Sequence, residues 1–220
     1  MPFIPVNISN EDIFIGIWKV DPSENEDFFR ERLVLFESEE EKLERIKVPE
    51  KRLEWLASRL ALKTCLPFTD PLEVKNTLTG EPTSPHVEGY FSFSHCPGFG
   101  GGVYSKKYRV GIDLEALKTT RDFAVKRMFM NPTELDCYNS NPAPERWFFL
   151  VWSSKEALYK WYSWRELSFR NHLAIQPQNK ISDNGTIQAT LQKGLFSKEI
   201  IIHYQFFETV LLTYLFTEIE

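Results

Sequence analysis

Cysteine is scarce in this chain, and the three present (Cys65, Cys96, Cys137) are odd in number, widely spaced and without a CxxC pair. That pattern argues against a disulfide framework or a structural zinc site; three reduced thiols in a cytoplasmic protein are expected. Positive charge is not in excess: 26 Lys and Arg face 31 Asp and Glu, for a net charge of −5. A whole-surface nucleic-acid binder is thereby disfavoured, while a local basic pocket is still allowed. Long apolar runs are missing. The longest, near residues 147–152, is far too short to span a bilayer, so no membrane partner is expected. Met1 to Asn10 has no positive segment followed by an apolar stretch, so no signal peptide is expected either. Gly98 and Gly100–Gly102 are not followed by GK[ST], which excludes a P-loop; they could let backbone approach a ligand or simply turn the chain.

Aromatic residues, by contrast, are abundant at 15%, with 18 Phe, beside 42% hydrophobic and 26% charged residues. This is the composition of a globular protein with a bulky core, long enough for one large core or two small lobes. Residues 12–20 read as a strand stopped by Asp21-Pro22. Residues 26–66 read as helical, with a capping box from Ser38 to Glu41, a start at Pro49, and Leu53, Leu56 and Leu60 at helical spacing. Four prolines (Pro67, Pro71, Pro82, Pro85) mark a loop. Strands are expected at 89–95, 101–106 and 108–115, the last two joined by a tight turn at Ser105–Lys107. Helices are expected at 121–129, 132–138 and 144–162. Antiparallel strands then follow at 171–177, 186–192, 199–207 and 210–217, with Asp183-Asn184-Gly185 as a turn. The order predicts an α+β fold of two lobes.

Two clusters of charge carry the chemistry. In Val110-Gly111-Ile112-Asp113-Leu114-Glu115, alternation sends Val110, Ile112 and Leu114 to the core and Asp113 and Glu115 together to the other face. Neighbouring carboxylates need a cation between them, and hard oxygen ligands suit Mg²⁺; a solvated strand face is the ordinary alternative for a lone DxE. The second cluster lies in an otherwise apolar helix, Trp147 to Lys160, where Glu156 and Lys160 are four apart on one face and Lys155 sits one residue round. Either this is a common Glu-to-Lys pair, or Glu156 completes a metal site while the lysines neutralise phosphate.

Gly111-Ile112-Asp113-Leu114-Glu115, followed by Trp152-Ser153-Ser154-Lys155-Glu156-Ala157-Leu158-Tyr159-Lys160, resembles the signature pair of 4′-phosphopantetheinyl transferases. The larger type, typified by the surfactin-synthetase-activating enzyme, is the nearer likeness. Phe91-Ser92-Phe93-Ser94-His95 is similar to the family's F-N-I-S-H segment, and Lys126 to Glu134 to its R-F-F-x-x-x-E segment. The likeness spans residues 42–160.

The resemblance implies two similar α+β lobes about a pseudo-twofold, residues 1–105 and 106–220, with the active site between them. It implies Mg²⁺ on Asp113, Glu115 and Glu156, with coenzyme A phosphates held by Ser94, His95, Lys155 and Lys160. Arg52 and Arg59, seven apart on a basic helical stretch, are its candidates for the remaining phosphate contacts. Glu134 would take the proton of the acceptor serine, unless it only caps a helix with Asn131. The implied reaction moves phosphopantetheine from coenzyme A to a serine of an apo acyl- or peptidyl-carrier protein, releasing adenosine 3′,5′-bisphosphate. A monomer is expected. A non-catalytic coenzyme A- or carrier-binding relative and a metal-dependent phosphohydrolase are the alternatives. One departure stands out: Gly80-Glu81-Pro82 has an acid where the family usually has Lys or Arg, a loss that Lys75 could make good.

Overall fold

The first half of the chain runs β1 (Phe3–Pro5), β2 (Phe14–Lys19), α1 (Glu26–Arg30), α2 (Glu37–Arg45), α3 (Pro49–Cys65), β3 (Lys75–Asn76), β4 (Pro82–Thr83), β5 (Tyr90–Cys96) and β6 (Phe99–Ser105). The second runs β7 (Tyr108–Ala116), α4 (Lys126–Phe129), α5 (Pro132–Ser140), α6 (Pro144–Tyr162), α7 (Phe169–His172), β8 (Leu173–Ile175), β9 (Asn184–Lys193), β10 (Phe196–Phe207) and β11 (Val210–Glu218). This computed structural model describes residues 2–69, 71–117, 125–164 and 166–219. One sheet has the order β1-β2-β6-β5 and the other β7-β11-β10-β9-β8; every pairing between their strands is antiparallel.

The two halves share a connectivity. Each runs from a strand (β2 or β7) through a long helix (α3 or α6) to a closing antiparallel pair (β5–β6 or β10–β11) whose last strand returns beside the first, with two further strands (β3 and β4, or β8 and β9) inserted before that pair. The helix lies so close to that first strand that a side chain there is impossible. A Cβ on Gly16 of β2 would strike the carbonyl oxygen of Ala61 in α3, and one on Gly111 of β7 that of Ala157 in α6. Proline opens both long helices, where a missing N–H costs nothing. A left-handed Ser163 (φ 58°) closes α6.

Between the sheets the chain turns at Ser105–Lys107, where the Ser105 hydroxyl accepts from the N–H groups of Lys107 (3.2 Å) and Tyr108 (3.0 Å). Edge strands β5 and β7 then lie side by side without a backbone ladder, and serines sew them together. Ser92 Oγ accepts from the Ile112 N–H (3.2 Å) and Ser94 Oγ from the Leu114 N–H (3.1 Å). Behind this seam Ile13, Ile15, Ile17 and Val103 pack with Val110, Ile112, Leu114 and Leu212 in one core spanning both sheets. A second core buries Trp147, Phe148, Leu150 and Leu158 of α6 against Ile202, Leu211 and Leu215. Among the described residues no helix is long and apolar enough to cross a membrane.

Several local expectations are corrected. The stretch 26–66 breaks into three helices, and the Ser38–Glu41 capping box is absent. Instead α2 starts two residues earlier, with Phe36 as its N-cap and Glu39 turned back to the Phe36 N–H (3.4 Å), leaving buried Ser38 Oγ without a hydrogen bond. Asn184 and Gly185 do not turn the chain; they open β9, pairing with Gln205 and Tyr204, and the Tyr204 ring covers Gly185. The reversal between β8 and β9 lies earlier, within residues 176–183, and Gly194 (φ +60°) turns β9 into β10. A short helix capped by Ser168 precedes β8. Of the helix expected at 121–129, residues 121–124 lie outside the described residues, and Lys126–Phe129 is helical.

Arg52 has a structural task. It grips Glu26 of α1 with two hydrogen bonds of 2.7 Å and the Leu43 carbonyl with a third of 2.6 Å, so α1, α2 and α3 are tied together. The hydrogen bond from Arg52, opposed by partial burial and aided by Arg30, holds the Glu26 carboxyl at about 2. Its folded value lies below its unfolded one. The stability it supplies is therefore present above the ordinary glutamate value and lost as pH falls toward about 2. With the pair partly open to solvent, Glu26→Gln should cost about 1 kcal/mol at pH 7. Chemical denaturation at pH 7 and near pH 2 should show that difference much reduced at the lower pH, where the folded carboxyl is itself taking up its proton.

Candidate active site

The two halves leave a cleft between α3 and β5 on one side and β7 and α6 on the other. It has two adjoining chambers that share Phe93, His95 and Lys160. The first, about 310 Å³, is basic and aromatic. Lys42, Arg59, His95 and Lys160 line it with Trp55, Phe93 and Tyr159, under the short β3–β4 hairpin. The second, about 380 Å³, holds the carboxylates Asp113, Glu115 and Glu156, with Ser94, His95 and Lys160 on its wall. Helical spacing accounts for the α6 side of this wall. Trp152, Ser153, Glu156 and Lys160 fall within about 100° of one another on the helix, whereas Lys155 is about 100° away from Glu156.

Asp113 sits at the centre of the second chamber's polar contacts. Its Oδ1 accepts from Ser94 Oγ (2.9 Å) and Lys160 Nζ (2.7 Å), and its Oδ2 from Ser153 Oγ (2.9 Å). Lys160 also reaches Ser94 Oγ at 2.9 Å. Ser153 is held in turn by Thr213 of β11 (2.8 Å). Glu115 Oε1 accepts a hydrogen bond from the Trp152 indole. The three carboxylates thus line one chamber, with positive and donor groups already placed on two of them. As these side chains stand, no group of three or more His, Cys, Asp or Glu among the described residues could hold a metal ion. The three carboxylates are hard oxygen donors of the kind that suits Mg²⁺, with the Lys160 ammonium lying on Asp113 where positive charge is required.

His95 stands a third exposed on the rim common to both chambers. Its Nδ1 lies 3.2 Å from Oε2 of Glu54, a buried carboxylate that also pairs with Lys51 at 2.7 Å. Arg59 is held flat between the rings of Trp55 (3.5 Å) and Phe93 (4.6 Å), with Nη1 donating to Ser58 Oγ at 2.8 Å. Its Nε lies 3.8 Å from Glu39 and has no hydrogen-bond partner. Burial pushes the Glu39 carboxyl up to about 7, and the Arg59 charge pulls the other way.

Three expected site residues are placed elsewhere. Arg52 is committed to Glu26 and Leu43, outside the cleft. Glu134 and Lys155 form an ion pair at 2.7 Å with both side chains completely buried. The Lys155 ammonium spends its other two protons on the carbonyls of Phe129 and Phe169, each at 2.9 Å. Glu134 accepts from the N–H groups of Asn131 (2.8 Å) and Ile175 (2.7 Å). Burial lowers Lys155 to about 8 and raises Glu134, and the ion pair opposes both shifts. Neither side chain lines either chamber: Glu134 caps α5 with Asn131, and Lys155 is its counter-ion. Lys75 does not replace the missing cation either, because it pairs with Glu73 at 3.0 Å.

Some residues the sequence did not single out line or order this cleft: Ser153, Trp152, Glu54 and Tyr159. Ser153 and Trp152 were signalled by position, since each lies three or four residues before Glu156 and so shares its face. Glu54 carried no such sign.

Residues 109–214 match the family model of the 4′-phosphopantetheinyl transferase superfamily. That stretch, just under half of the chain, runs from β7 into β11 and contains all three chamber carboxylates and Lys160. No curated protein matches the chain.

Proposed function

We propose that the protein transfers the 4′-phosphopantetheine arm of coenzyme A to a serine of an apo acyl- or peptidyl-carrier protein, with Mg²⁺ as its metal. One observation carries this reading: a basic, aromatic chamber opens into a carboxylate chamber, with Lys160 on the wall of both. A nucleotide carrying a pyrophosphate needs stacking surface, cations and a metal in that order along its length. The superfamily match and the repeated strand–helix–strand–strand connectivity support it, the latter in favour of two lobes about a pseudo-twofold.

Breaking a pyrophosphate calls for charge neutralisation rather than covalent help from the protein. Asp113, Glu115 and Glu156 would hold Mg²⁺, which when bound neutralises charge on the pyrophosphate. Phe93 and Tyr159 offer ring surface to the nucleotide and Trp55 backs Arg59, while Lys42, Arg59 and His95 supply its phosphates with donors. Lys160, released from Asp113, would balance the charge on the leaving phosphate. Ser153 and Ser94 keep Asp113 turned into the chamber. With Glu134 sealed in the interior, the proton of the acceptor serine passes to a group of the cleft itself.

Incubation with coenzyme A, Mg²⁺ and an apo-carrier tests this reading by mass spectrometry. A carrier heavier by one phosphopantetheinyl group is expected. Free phosphopantetheine without a modified carrier would make the protein a hydrolase, and unchanged coenzyme A and carrier would leave a binding module.

A further inference from the structure

The roof of the basic chamber is the β3–β4 hairpin, whose Asn76, Thr79, Gly80, Glu81 and Pro82 face the space. Its strands are two residues each, and its turn is closed by the Gly80 and Thr77 N–H groups on Thr77 and Glu81 carbonyls, both at 2.9 Å. So short a hairpin has little hold of its own on the protein. Lys42 meets Asn76 only at 3.5 Å. The firm tie is Glu81. Its Oε1 accepts from Arg109 Nη2 at 3.0 Å, across the cleft in the other half of the molecule. Arg109 in turn is anchored to the end of α6, donating from Nε to the Trp161 carbonyl at 2.6 Å and from Nη2 to that of Tyr162 at 3.3 Å. The residue before these two carbonyls is Lys160, whose own carbonyl accepts from Ser163 Oγ at 2.7 Å.

From this geometry we infer that Glu81 and Arg109 form a latch, which fastens the roof of the basic chamber to the helix end that carries Lys160. The acid at position 81 is then a positioning residue, holding the roof shut over a ligand it does not itself bind. Closing the roof and fixing the C-terminal turn of α6 become one event, because a single guanidinium serves both. The ion pair is about three-quarters shielded on each side. Its loss is therefore worth a factor of about 2 to 5 in the opening equilibrium. The part of the inference that concerns coenzyme A rests on the function proposed above; the latch itself does not.

Hydrogen exchange on the ligand-free protein separates the two. In Glu81→Gln the amides of Thr77 and Gly80 should exchange about 2 to 5 times faster than in the wild type. Amides in the middle of α6 should not change. Raising the salt concentration should speed the same amides in the wild type and leave the variant unaffected. Glu81→Asp should recover part of the protection. Coenzyme A should leave the variant faster by a similar factor. Unchanged exchange at Thr77 and Gly80 in Glu81→Gln would overturn the latch. Faster exchange in a protein that binds no coenzyme A would keep the latch and remove the ligand assigned to the chamber.

Discussion

Lys155→Ala should cost about 3–5 kcal/mol of stability, the usual penalty for stripping one partner from a buried ion pair. Alanine leaves the Glu134 carboxylate with two backbone donors but no cation, in a site closed to solvent. Glu134→Gln should be similarly damaging, since it strands an ammonium among the carbonyls of Phe129 and Phe169. The pair is best read through a double replacement. Glu134→Gln with Lys155→Met removes both charges while keeping volume, so the double variant should be far more stable than the sum of the two single losses predicts. Urea denaturation of the four proteins checks this. If the single variants are as stable as the wild type but transfer nothing, the two residues belong to the chemistry and the structural assignment fails.

This pair also shows what the sequence could and could not disclose. Lys155 and Lys160 are five residues apart, which is about 140° round a helix, so both cannot point into the same cleft. That angle was legible; the burial of the Lys155 side was not, because it depends on α4, α5 and α7 closing over it. That Asp113 and Glu115 share a strand face and Glu156 and Lys160 a helix face was legible, because strand alternation and helix phase are local rules. So was the start of α6 at Pro144, since proline marks a helix entrance. Arg52 and Arg59 share a helix face in the sequence, yet only Arg59 reaches the chamber. The difference is Glu26, distant by 26 residues, which captures Arg52. Ser38 misled for a local reason instead: its capping spacing to Glu41 was good, but the Glu39 carboxylate reached the Phe36 N–H first. Long-range partners decide between local options that propensity alone leaves equal.

Lys160→Met isolates the other lysine, and its expected signature is the reverse of that of Lys155. The side chain is a quarter exposed, so its removal should cost little stability. Its ammonium, however, sits at 2.7 Å on Asp113 Oδ1, in direct competition with any cation for the same oxygen. Mg²⁺ should therefore bind the Met variant more tightly than the wild type, and calorimetry in the absence of coenzyme A should read that gain. Transfer should fall nonetheless, by a factor on the order of 10²–10³, as expected when a preorganised donor for developing charge is lost. Asp113→Asn completes the comparison. It weakens the acceptor for both cations, so Mg²⁺ affinity and transfer should fall together. A Lys160→Met protein that binds Mg²⁺ no better than the wild type would mean that the metal does not use Asp113. The carboxylate chamber would then owe its charge balance to Lys160 alone.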